Sequence, residues 1–115
     1  KEQARLFQLA QKAMAHHPEL ALLNGSLNGV RLSIGQAAKA KQAGMRKGYP
    51  DVFLPAPRQG YAGLYIEMKA KGNTTNPDQK WWLRRLRDEG YYCTVCYSAL
   101  EAWDEIINYL NEKEA

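Results

Sequence analysis

Apolar positions along this chain follow two different periods, and the switches between them mark its elements. Ala4, Leu6, Phe7, Ala10 and Met14 recur every three to four residues, which predicts a helix from Glu2 to about His16. Pro18 follows that segment, and the apolar run Leu20–Leu23 reads as a short strand. Asn24-Gly25-Ser26 and Asn28-Gly29 are turn signals and predict a mobile, glycine-rich loop. A small-residue helix is expected over Gly35–Ala43, ended by Gly44, with Ala37, Ala38 and Ala40 allowing close backbone packing. Val52–Leu54 and residues 63–69 read as strands joined by the turn-rich Pro55–Gly60. Beyond the polar loop Gly72–Asn76, Pro77–Glu89 predicts a helix with Trp82, Leu83 and Leu86 inward and Gly90 at its end. A strand over Tyr91–Tyr97 follows, then a helix over Leu100–Leu110 with Leu100, Trp103, Ile106, Ile107 and Leu110 on one face. The alternation predicts an α/β fold, a central mixed sheet flanked by helices on both faces.

On the strand over residues 63–69 the side chains alternate in direction, so Tyr65, Glu67 and Lys69 share one face while Leu64, Ile66 and Met68 share the other. An acid at the end of one strand, Asp51, and Glu67 on the next can hold a hard divalent cation, with the Met68 carbonyl as a third ligand. Lys69 then lies near an attacking water. Spacing alone leaves a second reading open, a solvated strand face with an ordinary Glu67–Lys69 ion pair. Pro77-Asp78 repeats the proline–acid dipeptide of Pro50-Asp51, but there Asn76 reads as an N-cap with Pro77 at the first helical position.

Charge sharpens the picture. The chain has 115 residues and a net charge of +4. Residues 1–97 carry 15 Lys and Arg against 7 Asp and Glu, whereas residues 98–115 carry 1 against 5. The cations cluster at Lys39, Lys41, Arg46 and Lys47, at Lys69 and Lys71, and at Lys80, Arg84, Arg85 and Arg87, flanking the proposed metal site. That is what a phosphate-backbone footprint would need, the alternative being a solvated basic face with no partner. The length suits a single domain over residues 1–115. No apolar run reaches membrane-spanning length, and the charged, amphipathic start has no signal-peptide character, so neither membrane insertion nor secretion is expected.

The motifs Arg46-Lys47-Gly48-Tyr49-Pro50-Asp51-Val52-Phe53-Leu54, Leu64-Tyr65-Ile66-Glu67-Met68-Lys69, Asn76-Pro77-Asp78-Gln79-Lys80-Trp81-Trp82 and Leu86-Arg87-Asp88-Glu89-Gly90-Tyr91 resemble the VRR-NUC family of the PD-(D/E)xK nuclease superfamily. The likeness runs from about Glu2 to Leu110, with Tyr49 inserted between the glycine and the proline of the family's glycine-proline-aspartate pattern. It implies a Mg²⁺- or Mn²⁺-dependent endonuclease acting on DNA. Asp51 and Glu67 would hold metal, Glu2 would complete the cluster from the N-terminal helix, and Gln79 would join the active site. Lys69 would position the nucleophilic water, and Arg46, Lys47, Lys71 and Lys80 would hold backbone phosphates. Stand-alone members of this kind resemble Holliday-junction resolvases, often of viral or mobile-element origin. A homodimer that nicks branched DNA, in the cytoplasm of a bacterial or virus-infected cell, is therefore the expectation. A flap or duplex-cutting nuclease, and a non-catalytic DNA-binding module, are the alternatives.

Other conspicuous residues take structural readings. Cys93 and Cys96 are three apart on a predicted strand, which sends them to opposite faces and argues against zinc. His16 and His17 fall at a helix C-terminus, where positive charge is favourable. Trp82 and Trp103 are core by spacing, Trp81 points away, and Tyr61, Tyr65, Tyr91 and Tyr92 are packing residues.

Overall fold

The computed structural model describes residues 2–26 and 31–111. Its elements are α1 (Glu2–Ala13), a 3-10 helix (Pro18–Leu22), β1 (Asn24–Gly25), α2 (Ile34–Gln42), β2 (Val52–Leu54), β3 (Leu64–Met68), α3 (Pro77–Asp88), β4 (Tyr92–Cys96) and α4 (Ala99–Asn111). The strands form one sheet in the order β1-β2-β3-β4. β1 and β2 pair antiparallel, as do β2 and β3, while β3 and β4 run parallel with α3 as the crossover. The sheet is mixed and carries helices on both faces, as the alternation of periods predicts.

β3 is buried on both sides, and this organises the packing. On one face Leu64 and Ile66 join Leu6, Ala10, Leu20, Leu54, Ala102 and Ile106 in the larger core beneath α1 and α4. On the other, Tyr65 joins Leu83 and Cys93 under α3, with Tyr49, Phe53, Leu86, Tyr91 and Val95 packed around them. Phe53 and Tyr65 stack with ring centroids 4.2 Å apart, and Tyr91 meets Tyr65 edge-on at 5.1 Å. The face bearing Glu67 is thus an interior, and the solvated-strand reading of Glu67 does not hold. Cys93 and Cys96 do fall in opposite cores. Burial pushes their thiols up to about 11 and about 12, so both stay protonated and unreactive near neutral pH.

Four local expectations need correction. Leu20–Leu23 belongs to a 3-10 turn rather than a strand, because Pro18 starts a helical turn in which Leu20 is the buried residue. A run of four apolar residues has too few positions for its period to be read. α1 stops at Ala13, where the amides of His16 and His17 both turn back to the Ala13 carbonyl. In α4 the inward row is Ala99, Ala102, Ile106 and Tyr109, while Leu100 is exposed. Small alanines let that helix approach the sheet closely, so the buried face lies one position away from the largest apolar residues. The expected loop at 24–29 begins instead as β1, and residues 27–30 lie outside the described residues.

Among the described residues no helix is long and apolar enough to cross a membrane. The corrected face of α4 has a direct check in urea unfolding. Ile106→Ala should cost about 2–5 kcal/mol through cavity formation, whereas Leu100→Ala should stay within about 0.5 kcal/mol.

Candidate active site

Register builds the site. Val52 pairs with Ile66 across the antiparallel β2–β3 ladder, so Asp51, one residue before β2, falls beside Glu67 near the end of β3. Residues opposite one another on an antiparallel pair point the same way. The loop delivering Asp51 is fixed by Gly48, whose φ of +86° places it where an added Cβ would sit 2.7 Å from the Cβ of Asp78. Only glycine allows this loop to lie against the first turn of α3. The Trp82 indole donates to the Lys47 carbonyl at 3.1 Å, and Tyr49 donates its hydroxyl proton to the Tyr65 hydroxyl at 2.9 Å, holding the same loop to the α3 side of the sheet.

Both carboxylates are buried, with Asp51 6% and Glu67 3% exposed. Asp51 Oδ2 accepts the Met68 backbone N–H at 2.8 Å. Glu67 Oε2 accepts a hydrogen bond from Gln79 Nε2 at 2.9 Å. Gln79 is also the third residue of a capping box, in which its Oε1 accepts the Asn76 N–H while its own N–H donates to Asn76 Oδ1, both at 2.9 Å. The box fixes the orientation of the amide. With Oε1 committed to the helix start, the NH₂ group must face Glu67. Sequence reasoning placed Asn76 as a cap but missed its part in the site. The signal was present in the Asn76-x-x-Gln79 spacing.

Glu67 Oε1 is buried without a hydrogen-bond partner among the described residues. An orphaned acceptor of this kind, beside a second carboxylate, is the arrangement a divalent cation satisfies. Burial first, then the neighbouring Asp51 charge, push the Glu67 carboxyl up to about 8, and the Lys69 ammonium offsets this only in part. Burial also raises Asp51, against the opposing pull of the Met68 N–H. Two adjacent buried carboxyls cannot both ionise freely without a cation, so near neutral pH Glu67 retains a proton that a metal would displace. The donor set therefore fits Mg²⁺ or Mn²⁺. Among the described residues no three His, Cys, Asp or Glu side chains cluster closely enough to hold a metal by themselves. The remaining positions would fall to backbone carbonyl and water, which is usual for Mg²⁺.

The pair opens into a cleft of about 660 Å³ lined also by Glu2, Lys47, Met68, Lys69, Lys71 and Gln79. Eight of the ten residues singled out from the sequence thus converge on one cleft. Arg46 instead lines a neighbouring depression with Tyr49 and Trp82, and Lys80 is exposed one residue beyond Gln79. Glu2 Oε1 accepts the Ala99 N–H at 2.9 Å, capping α4, so one of its oxygens already serves the fold. Lys47 lies 3.8 Å from Asp78, a loose and exposed pair worth little energetically. Gln3, Gly48, Tyr49, Ala70, Asn76 and Tyr97 complete the lining and were not among the site residues singled out from the sequence.

The VRR-NUC domain model matches residues 8–100. The chain belongs to the VRR-NUC family. A VRR-NUC domain is a nuclease-type domain and implies DNA as its substrate. A solved structure titled "VRR_NUC domain protein" superposes on this VRR-NUC chain with a TM-score of 0.74 at 24% identity, covering 99% of this chain and 92% of its own. That likeness shows the fold. No curated protein matches the chain.

The Glu67 shift has a testable sign. A carboxyl raised from 4.5 to about 8 holds its proton in the folded state where the unfolded chain has released it. Its contribution to stability is complete below pH 4.5 and is lost as pH rises through about 8. In EDTA, the melting temperature of the wild type should therefore fall more steeply from pH 6 to pH 9 than that of Glu67→Gln. Parallel profiles would contradict the shift.

Proposed function

We propose that this protein is a metal-dependent DNA endonuclease that acts as a homodimer on branched DNA. The observation that carries the metal-dependent reading is the orphaned Glu67 oxygen beside Asp51 in a cleft lined by Lys47, Lys69 and Lys71. A bound Mg²⁺ or Mn²⁺ supplies Lewis-acid chemistry, polarising a phosphoryl oxygen and lowering the pKa of water.

The chain's own groups have separate tasks. Asp51 and Glu67 would hold the ion through carboxylate oxygens. A strand residue turns its N–H and C=O toward the same neighbour, and the Met68 N–H faces Asp51, which favours the Met68 carbonyl as a further ligand. Gln79 retains Glu67 Oε2 and so leaves Oε1 for the ion. Lys69 orients the attacking water and stabilises the negative charge that develops on the phosphate. Glu2 also lines the cleft, and its second oxygen would help to hold the ion. Lys47 and Lys71 hold phosphates inside the cleft, and Arg46 and Lys80 hold them outside it.

None of these residues forms a base-reading constellation, so DNA shape rather than sequence is recognised. Paired cuts on a four-way junction need two such clefts, which a two-fold dimer supplies.

The deciding experiment is cleavage of a labelled four-way junction beside flap and linear duplex DNA, with Mg²⁺, Mn²⁺ or EDTA. Symmetric, metal-dependent junction cuts are expected. Lys69→Ala should lower the rate by about 100-fold or more, and Asp51→Ala should abolish cleavage while DNA binding persists. Preferential flap or duplex cutting would replace the junction reading, and binding without cleavage in either metal would sink the enzyme reading. A monomer by light scattering, with and without junction DNA, would remove paired cleavage.

Asn76→Ala leaves every proposed ligand in place. It should cost about 1 kcal/mol of stability as a lost cap and raise the Mg²⁺ concentration needed for half-maximal cleavage. An unchanged metal requirement would deny Asn76 any role beyond the helix.

A further inference from the structure

α2 is a helix that the core does not hold. None of its nine residues is buried, and Ile34 at its start is 93% exposed. The expected close packing of Ala37, Ala38 and Ala40 does not occur. Its order comes from local chemistry at each end. The Ser33 hydroxyl accepts the Gln36 N–H at 3.1 Å, and the Gln36 side chain accepts the Ser33 N–H at 3.0 Å. At the other end Gly44 takes a φ of +105°, and the Met45 N–H returns to the Ala40 carbonyl at 2.9 Å. Helices shorter than about 12 residues are marginal in water without a packing partner. This one is capped at both ends yet contributes no side chain to the interior.

Its charge names the partner. From residue 31 to residue 50 the chain carries Arg31, Lys39, Lys41, Arg46 and Lys47 and no acid. That cationic run leads without interruption from α2 to the lip of the cleft, where Lys47, Lys69 and Lys71 continue it. We propose that α2 is a clamp for the sugar-phosphate backbone of duplex DNA, gripping the arm of the substrate next to the scissile bond. The proposal rests on the reading of the cleft as a nuclease site. Nine helical residues span about 13 Å, the reach of about four phosphates along one strand. A two-fold contact between α2 helices of two copies would set these cations against each other, which disfavours that use of the surface. A single exposed isoleucine is ordinary on a protein surface and does not by itself call for a protein partner.

The test is fluorescence anisotropy with labelled linear duplex and labelled four-way junction, in EDTA over a range of salt concentrations. The proteins are wild type, Lys39→Gln/Lys41→Gln and Lys39→Glu/Lys41→Glu. The glutamine pair should weaken binding of both DNAs about tenfold and flatten the slope of log K against log salt by about two. The glutamate pair should weaken binding further, and both variants should melt with the wild type because neither lysine is buried. Unchanged affinity and slope, in a wild type that binds and cuts DNA, would overturn the clamp alone. A variant that becomes monomeric while the wild type is a dimer would give α2 to the contact between copies and overturn it as well. A wild type that binds neither DNA would fell the nuclease reading and the clamp together.

Discussion

Two carboxylates buried side by side, Asp51 and Glu67, are the constraint to which the rest of the structure answers. Each loses hydration on folding, and the Asp51 charge adds to the cost of ionising Glu67. The fold meets that cost with one backbone N–H on Asp51, one side-chain amide on Glu67 and the nearby charge of Lys69. One acceptor is left over. A chain selected for stability alone would place an apolar pair at these positions, since a partly satisfied buried polar group is costlier than a hydrocarbon of the same shape. The arrangement is better understood as a socket whose last contact comes from outside the chain.

Holding that socket requires rigidity from two directions. β3 lies between two cores, so neither its register nor its twist can change without disturbing Ile66 on one face or Tyr65 on the other. A one-residue slip would exchange Glu67 for an apolar neighbour. The aromatic group of Tyr49, Phe53, Tyr65 and Tyr91 packs on the face shared with the acids, and the pair itself lines the cleft.

Much of this was legible in the residues. Alternation over Leu64–Lys69 put Glu67 and Lys69 on one face, and Asn76-Pro77 marked the start of α3. Both are local rules, and local rules hold where nothing competes with them. Burial was less legible, because it is decided by partners remote in sequence. Glu67 could be read as a surface residue until α3 was seen to cover Tyr65 beside it. The inward face of α4 was displaced from Leu100 to Ala99 and Ala102 because close approach to the sheet outweighed side-chain size there. α2 reversed the usual expectation: its small residues promised packing, and its helical form depends on its ends instead. The union of helix cap and acid clamp in Gln79 needed both ends of the side chain to be seen at once.

That union changes what exposure means at the start of α3. Asn76 is exposed, and an exposed helix cap ordinarily accepts exchange among serine, threonine, aspartate and asparagine with little loss. Here the cap is geared to the acid through a single amide that cannot rotate without breaking one of its two bonds. Replacing Gln79 by glutamate would preserve a capping box in outline and yet set a carboxylate against Glu67. The freedom to drift that solvent normally grants a helix terminus is withdrawn at this one, and the withdrawal originates from an acid twelve residues upstream.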